Sequence, residues 1–188
     1  MTKGFAKTIG PMTLVISALL VCAVPLSARA ATLTVTMQRA TPNGSGEVLG
    51  RIDITDSADG AVFTPDLHGL PPGPHGFHLH ENGNCDPTLL NGVRIPAGAA
   101  GGHWDPNGTG KHAGPMGDGH MGDLPVLQVA NDGTATARVT APHIKSVSLL
   151  RGHSLVIHAG GDNYSDEPVP MGGGGLRLAC GVIAGNAQ

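Results

Sequence analysis

From residue 31 onward, apolar side chains fall on every second position. Leu33, Val35 and Met37 alternate with threonines, and Val48, Ile52 and Ile54 take up the same beat after the turn signal Pro42-Asn43-Gly44. A period of two sends successive side chains to opposite faces, so each run reads as a half-buried β-strand. Asp59-Gly60 leads into a third strand over Ala61 to Leu67, and His75-Gly76-Phe77-His78-Leu79-His80-Glu81 makes the fourth. Further strands fall at Leu124 to Val129 and Thr134 to Thr140, joined by the hairpin signal Asn131-Asp132-Gly133, and at Ser154 to His158 and Leu178 to Ile183. Ile144 to Leu150 reads as a short helical turn. The pattern predicts an all-β domain, an eight-stranded antiparallel Greek-key sandwich or flattened barrel with two long functional loops. Those loops, Asn82 to Gly122 and Ala159 to Gly175, resist strand assignment, and loops of such length are usually functional or disordered.

The fourth strand carries the first chemistry. Its alternation puts His78 and His80 together on one face and Phe77 and Leu79 on the other. Two adjacent imidazoles suit a transition metal that favours nitrogen ligands. His75 shares the parity of Phe77 and Leu79 and reads as a structural histidine. The first long loop adds His103, His112, His120 and Asp123, three imidazoles and a carboxylate, which is a complete tetrahedral zinc set able to fold a Gly-rich loop around the ion. His158 ends an apolar strand. A core histidine satisfied by backbone is the usual reading of such a position; with His78, His80 and one shared loop histidine it would instead give copper four nitrogens, as copper(II) prefers.

Composition agrees with a β fold: 30 glycines, 15 prolines and 3% aromatic residues argue against a helical bundle. Residues 1–30 hold Lys3 and Lys7, an apolar run from about Met12 to Pro25, and the small-residue cleavage signal Ala28-Arg29-Ala30, the marks of a cleaved secretory signal peptide. Cys22 sits in that run behind a bulky Val21, which argues against lipidation. The remaining residues, 31–188, suit one domain. Of the 11 lysines and arginines, three lie in the leader, and none of the 14 acids does, so the mature chain is formally −6. Nucleic acid and anionic membrane are therefore poor partners. Cys85 and Cys180 remain, and an exported protein is expected to oxidise such a pair.

Four segments turn these features into a likeness. Gly73-Pro74-His75-Gly76-Phe77-His78-Leu79-His80-Glu81, Gly101-Gly102-His103-Trp104-Asp105-Pro106, His120-Met121-Gly122-Asp123-Leu124-Pro125 and Arg177-Leu178-Ala179-Cys180-Gly181-Val182-Ile183 resemble the copper/zinc superoxide dismutases of the bacterial periplasmic type. The likeness spans essentially all of residues 31 to 186. It implies one copper and one zinc per subunit, with copper on His78, His80, His103 and His158 and zinc on His103, His112, His120 and Asp123. His103 would be the imidazolate bridge, Asp162 the outer carboxylate between His78 and His112, and Arg177 the arginine that receives superoxide.

The implied reaction is disproportionation: one superoxide is oxidised to oxygen by copper(II), and the next is reduced to hydrogen peroxide by copper(I). Zinc has no redox chemistry and orders the loop. In the family's cycle His103 takes up a proton and delivers it to nascent peroxide. Trp104 reads as loop packing and Lys111 as a solvated lysine. Two rival readings are a periplasmic metal-storage module, which would exchange metal rapidly without turnover, and a zinc hydrolase, whose metal should keep a position open for water. The likeness admits a monomer or a homodimer and implies a periplasmic location.

Overall fold

A computed structural model describes residues 32–185, together with Met1 and Gly4. The leader, its cleavage site and Cys22 lie outside the described residues. Strands β1 (Thr32–Thr41), β2 (Gly44–Ser57) and β3 (Gly60–Leu67) form an antiparallel meander, and β1 buries Leu33, Val35 and Met37 while its threonines face outward. The histidine segment is not one strand. It divides at Gly76 into β4 (Gly73–His75) and β5 (Phe77–His80). A Cβ on Gly76 would lie 3.1 Å from the His78 ring, 3.3 Å from the Gly161 carbonyl and 3.4 Å from His158 Cβ, so any side chain there would press on the histidines beside it.

The first long loop is more ordered than its sequence promised. It contains a small ribbon, β6 (Thr88–Leu90) and β7 (Val93–Ile95), followed by a 3-10 turn at Gly98–Ala100. Asn91 and Gly92 both take positive φ, 50° and 80°, as a two-residue hairpin turn requires. The expected strand at 124–129 shortens to β8 (Leu127–Val129), and that at 134–140 to β9 (Val139–Ala141), with Ala135 bridged singly to Leu67. Pro125 and the irregular backbone of 134–138 interrupt the ladders. The helical turn is a 3-10 turn at Val147–Leu150, and β10 (Ser154–His158) and β11 (Arg177–Val182) close the chain.

Seven strands pair antiparallel in the order β5-β10-β11-β1-β2-β3-β9, and β4 pairs with β8. One end of this curled sheet runs through β4 to β8, and the turn after β8 returns to Leu67 at the other end, which closes a flattened barrel. Inside lies one core in which Phe63 meets Phe77 edge-on at 5.7 Å among Met37, Leu49, Ile52, Ile54, Leu79 and Leu155. Outside, Ala97 and Ala100 of the first long loop cover Val156 and Cys180, and a Cys85–Cys180 disulfide fastens that loop to β11.

Candidate metal centre

β5 supplies the foundation. Phe77 and Leu79 point into the core, while His78 and His80 emerge on the opposite face and are fully buried beneath the loops. The free edge of β5 then recruits the first loop as if it were two fragments of strand. Leu79 accepts from Trp104 N–H at 2.8 Å and donates to the Gly122 carbonyl at 2.9 Å, and Glu81 N–H reaches the Gly102 carbonyl at 3.0 Å. These bonds register His103 opposite His80 and Asp123 opposite His78. Trp104 packs against the core edge and Lys111 is exposed, as their sequence positions suggested. His75 is structural: its ring nitrogens lie 2.8 Å from the carbonyls of His158 and Pro71.

Two four-residue groups result, each with its ligand atoms within 4.8 Å of one another. His78, His80, His103 and His158 form one; His103, His112, His120 and Asp123 form the other. His103 belongs to both. Every member of both groups is buried. In the first, the Nε2 atoms of His80 and His158 face each other at 3.3 Å, and the other ring nitrogens are engaged by the carbonyls of Gly101 and Gly175. In the second, Asp123 Oδ1 lies 2.9, 3.0 and 3.4 Å from Nδ1 of His103, His112 and His120.

These donors fit metal ions. Nδ1 of His78, His112 and His120 is buried without a hydrogen-bond partner, although water-free burial of such atoms is costly. For His112 the 3.0 Å approach to Asp123 lacks hydrogen-bond alignment. A tetrahedral zinc with donors near 2.0–2.1 Å would space those donors about 3.3 Å apart, close to the distances around Asp123. Asp162 stands behind both groups and accepts from Nε2 of His78 and of His112, each at 2.7 Å, which turns both Nδ1 atoms inward. Gly172 covers that carboxylate with φ of 70°; a Cβ there would come 2.7 Å from His112 Nε2.

Electrostatics divides the two groups. Burial pushes His103 down to about 4 against the pull of Asp123, and burial together with neighbouring imidazoles and Arg177 holds His80 and His158 well below the ordinary histidine range. Burial also lowers His78, opposed by Asp162. Neutral imidazoles are the form that binds metal. His112 behaves oppositely: burial opposes its charge, but the carboxylates of Asp123 and Asp162 outweigh burial and raise it to about 9. Both carboxylates stay ionised, since the histidine hydrogen bonds overcome the burial that would raise them.

Arg177, on β11, sends Nη1 to the Ala97 carbonyl and Nη2 to the Gly101 carbonyl, the latter at 2.6 Å. Gly101 also accepts from His80 Nδ1, so one peptide oxygen ties the guanidinium to the first group. The Cys85–Cys180 bridge anchors both sides of this contact. Asp166, which sequence reasoning passed over, accepts from the backbone N–H of His112 at 2.9 Å.

A β-barrel carrying two buried donor groups that share one imidazole has the makings of a binuclear metal centre. Residues 48–183 match the family model described as copper/zinc superoxide dismutase. The chain is 52% identical over 172 residues to the Cu-Zn superoxide dismutase 2 of Salmonella typhimurium, covering 92% of this chain and 98% of that one. Among solved structures, the Cu/Zn superoxide dismutase from Brucella abortus is 50% identical with a TM-score of 0.80, over 81% of this chain and 99% of that one. The monomeric copper, zinc superoxide dismutase from Salmonella enterica is 54% identical with a TM-score of 0.74, over the same shares. The chain belongs to the copper/zinc superoxide dismutase family, whose metals are copper and zinc.

Proposed function

We propose that this chain disproportionates superoxide, with His78, His80, His103 and His158 holding copper and His103, His112, His120 and Asp123 holding zinc. The supporting observation is the membership of His103 in both donor groups. Bound copper supplies a one-electron change in each direction, and bound zinc supplies positive charge without redox chemistry. Two superoxide ions and two protons thereby give one oxygen and one hydrogen peroxide.

The chain's own residues bind the anion and handle its proton. Arg177 spends one donor on Ala97 and one on Gly101, and a guanidinium has five, so N–H groups remain for a small anion. Its carbonyl anchors fix the fork in place and leave it permanently charged. His103 directs Nδ1 toward Asp123, which leaves Nε2 to take up a proton and pass it to the reduced product. Asp162 fixes the rings of His78 and His112 from behind. A storage module would need neither the tethered arginine nor a shared imidazole, and both are in place.

The test is metal content together with superoxide decay on purified protein. His103→Ala should abolish rapid decay and unlink the two metals, whereas full activity in this variant would refute the assignment. We further propose that residues 1–30 are removed on export; the mature protein beginning at about Ala31 should then appear in the periplasmic fraction.

A further inference from the structure

The second long loop touches His112 twice. Asp162 takes the ring, and Asp166 takes the backbone N–H with Oδ2 while its Oδ1 accepts from Met171 N–H at 3.1 Å. We propose that Asp166 is a positioning residue for zinc, holding the main chain of His112 so that its inward nitrogen meets the ion. This rests on the reading of His112 as a zinc ligand.

Asp166 is itself held in place. Asn163 and Gly172 bond across the loop at 3.2 Å, as do Gly172 and Ser165 at 3.0 Å. Within that closure Ser165 N–H donates to the Asn163 side chain, and Glu167 N–H to the Ser165 hydroxyl, each at 3.0 Å. The carboxylate therefore sits on a compact turn whose near end carries Asp162.

His112 has much to gain from such a grip. Its loop has no regular secondary structure between Ala100 and β8 apart from the single bridges at His103 and Asp123, and beside the backbone bond from His120 N–H to the Lys111 carbonyl the stretch is held by side-chain bonds to backbone. Three successive peptide N–H groups are taken by carboxylates: His112 by Asp166, and Ala113 and Gly114 by Asp123 Oδ2 at 3.0 and 3.3 Å. Asp123 is a zinc donor through its other oxygen. Asp166 is the component of this cradle that belongs to neither donor group, and it joins the zinc segment to a different loop. The copper group lacks an equivalent contact with Asp166, so the effect should be specific to zinc.

The experiment measures zinc affinity in copper-free protein and copper affinity in zinc-free protein, by chelator competition, for the unaltered chain, His112→Ala, Asp166→Ala and Asp166→Asn. Outer-sphere changes typically cost 10–100-fold, so Asp166→Ala should weaken zinc by about 10-fold or more and leave copper within about 3-fold. Asp166→Asn keeps one acceptor and should fall between, and it carries the comparison if the alanine variant does not fold. Cobalt(II) placed in the zinc group should show an altered visible spectrum in Asp166→Ala, a change that loss of a merely structural surface contact would not produce. The inference is overturned if His112→Ala weakens zinc while Asp166→Ala leaves zinc within about 2-fold, or weakens both metals alike. Zinc affinity untouched by His112→Ala would instead remove the ligand assignment, and the role of Asp166 with it.

Discussion

Arg177 and His112 carry the two residue-scale consequences that are simplest to measure. Arg177 lies outside both donor groups, so Arg177→Ala should retain both metals. Without its local positive charge, turnover should slow by about 10-fold or more and lose much of its ionic-strength dependence, since focused charge raises association rates by about 10–1000-fold. Turnover equal to that of the unaltered chain, with the same salt dependence, would contradict the role. His112 and its neighbours set the pH response of the metal-free protein. The folded-state pKa of His112 is raised to about 9, so its stabilising contribution is complete below the unfolded value near 6.5 and is lost as pH rises through 9. His78, His80, His103 and His158 are depressed, so unfolding takes up protons below about pH 6.5 and their penalty fades as pH rises toward that value. The urea midpoint of the metal-free protein should therefore peak at about pH 7, where four depressed histidines balance the raised one. Zinc should flatten the alkaline fall, because a ligating His112 is neutral. A midpoint that climbs steadily to pH 9 without metal would count against this balance.

At the scale of elements, the first long loop is a strap fastened at two points. Its inner half is stitched to the edge of β5, and its outer half is bolted to β11 by the disulfide. The bridge spans 95 residues, for which the chain-entropy model gives a stabilisation of about 4–5 kcal/mol. The double variant Cys85→Ser with Cys180→Ser should lose stability of that order in urea titrations of the metal-loaded protein. It should also lose more turnover than metal, because the Ala97 and Gly101 anchors of Arg177 lie on the released strap. An unchanged midpoint would show that the strap holds without the bridge. Much of this was legible from the chain alone: the alternation in β1 and β2, and the parity that separates His78 and His80 from Phe77 and Leu79. The β6–β7 ribbon was also signalled, by Asn91-Gly92 between apolar residues, but the ribbon is exposed on both faces and so lacks the alternation that marks a half-buried strand. The break at Gly76 and the single bridge at Ala135 depend on what crosses from distant strands, which no local pattern encodes. Asp166 was missed for a similar reason. It lies 54 residues from the peptide it grips, and an acid in a polar loop looks like any other.

Across the whole molecule, the barrel contributes a rigid strand edge, and the two loops contribute what that edge needs to become a centre. β5 and β10 bring His78, His80 and His158 from paired strands; the first loop brings His103, His112, His120 and Asp123; the second brings Asp162 to bind the halves together. If residues 1–30 are removed as proposed, the remaining chain's formal charge of −6 would oppose an approaching anion at long range, and capture would depend on the local field at Arg177 and the bound metals. Everything in this arrangement converges on one imidazole that faces both donor groups. Anomalous diffraction from a metal-loaded crystal, collected at the copper and zinc absorption edges, tests it most directly. Copper and zinc should appear on opposite nitrogens of His103, with His78, His80 and His158 around the first and His112, His120 and Asp123 around the second. Two ions that share no side chain, or an ion held by residues outside these groups, would contradict it.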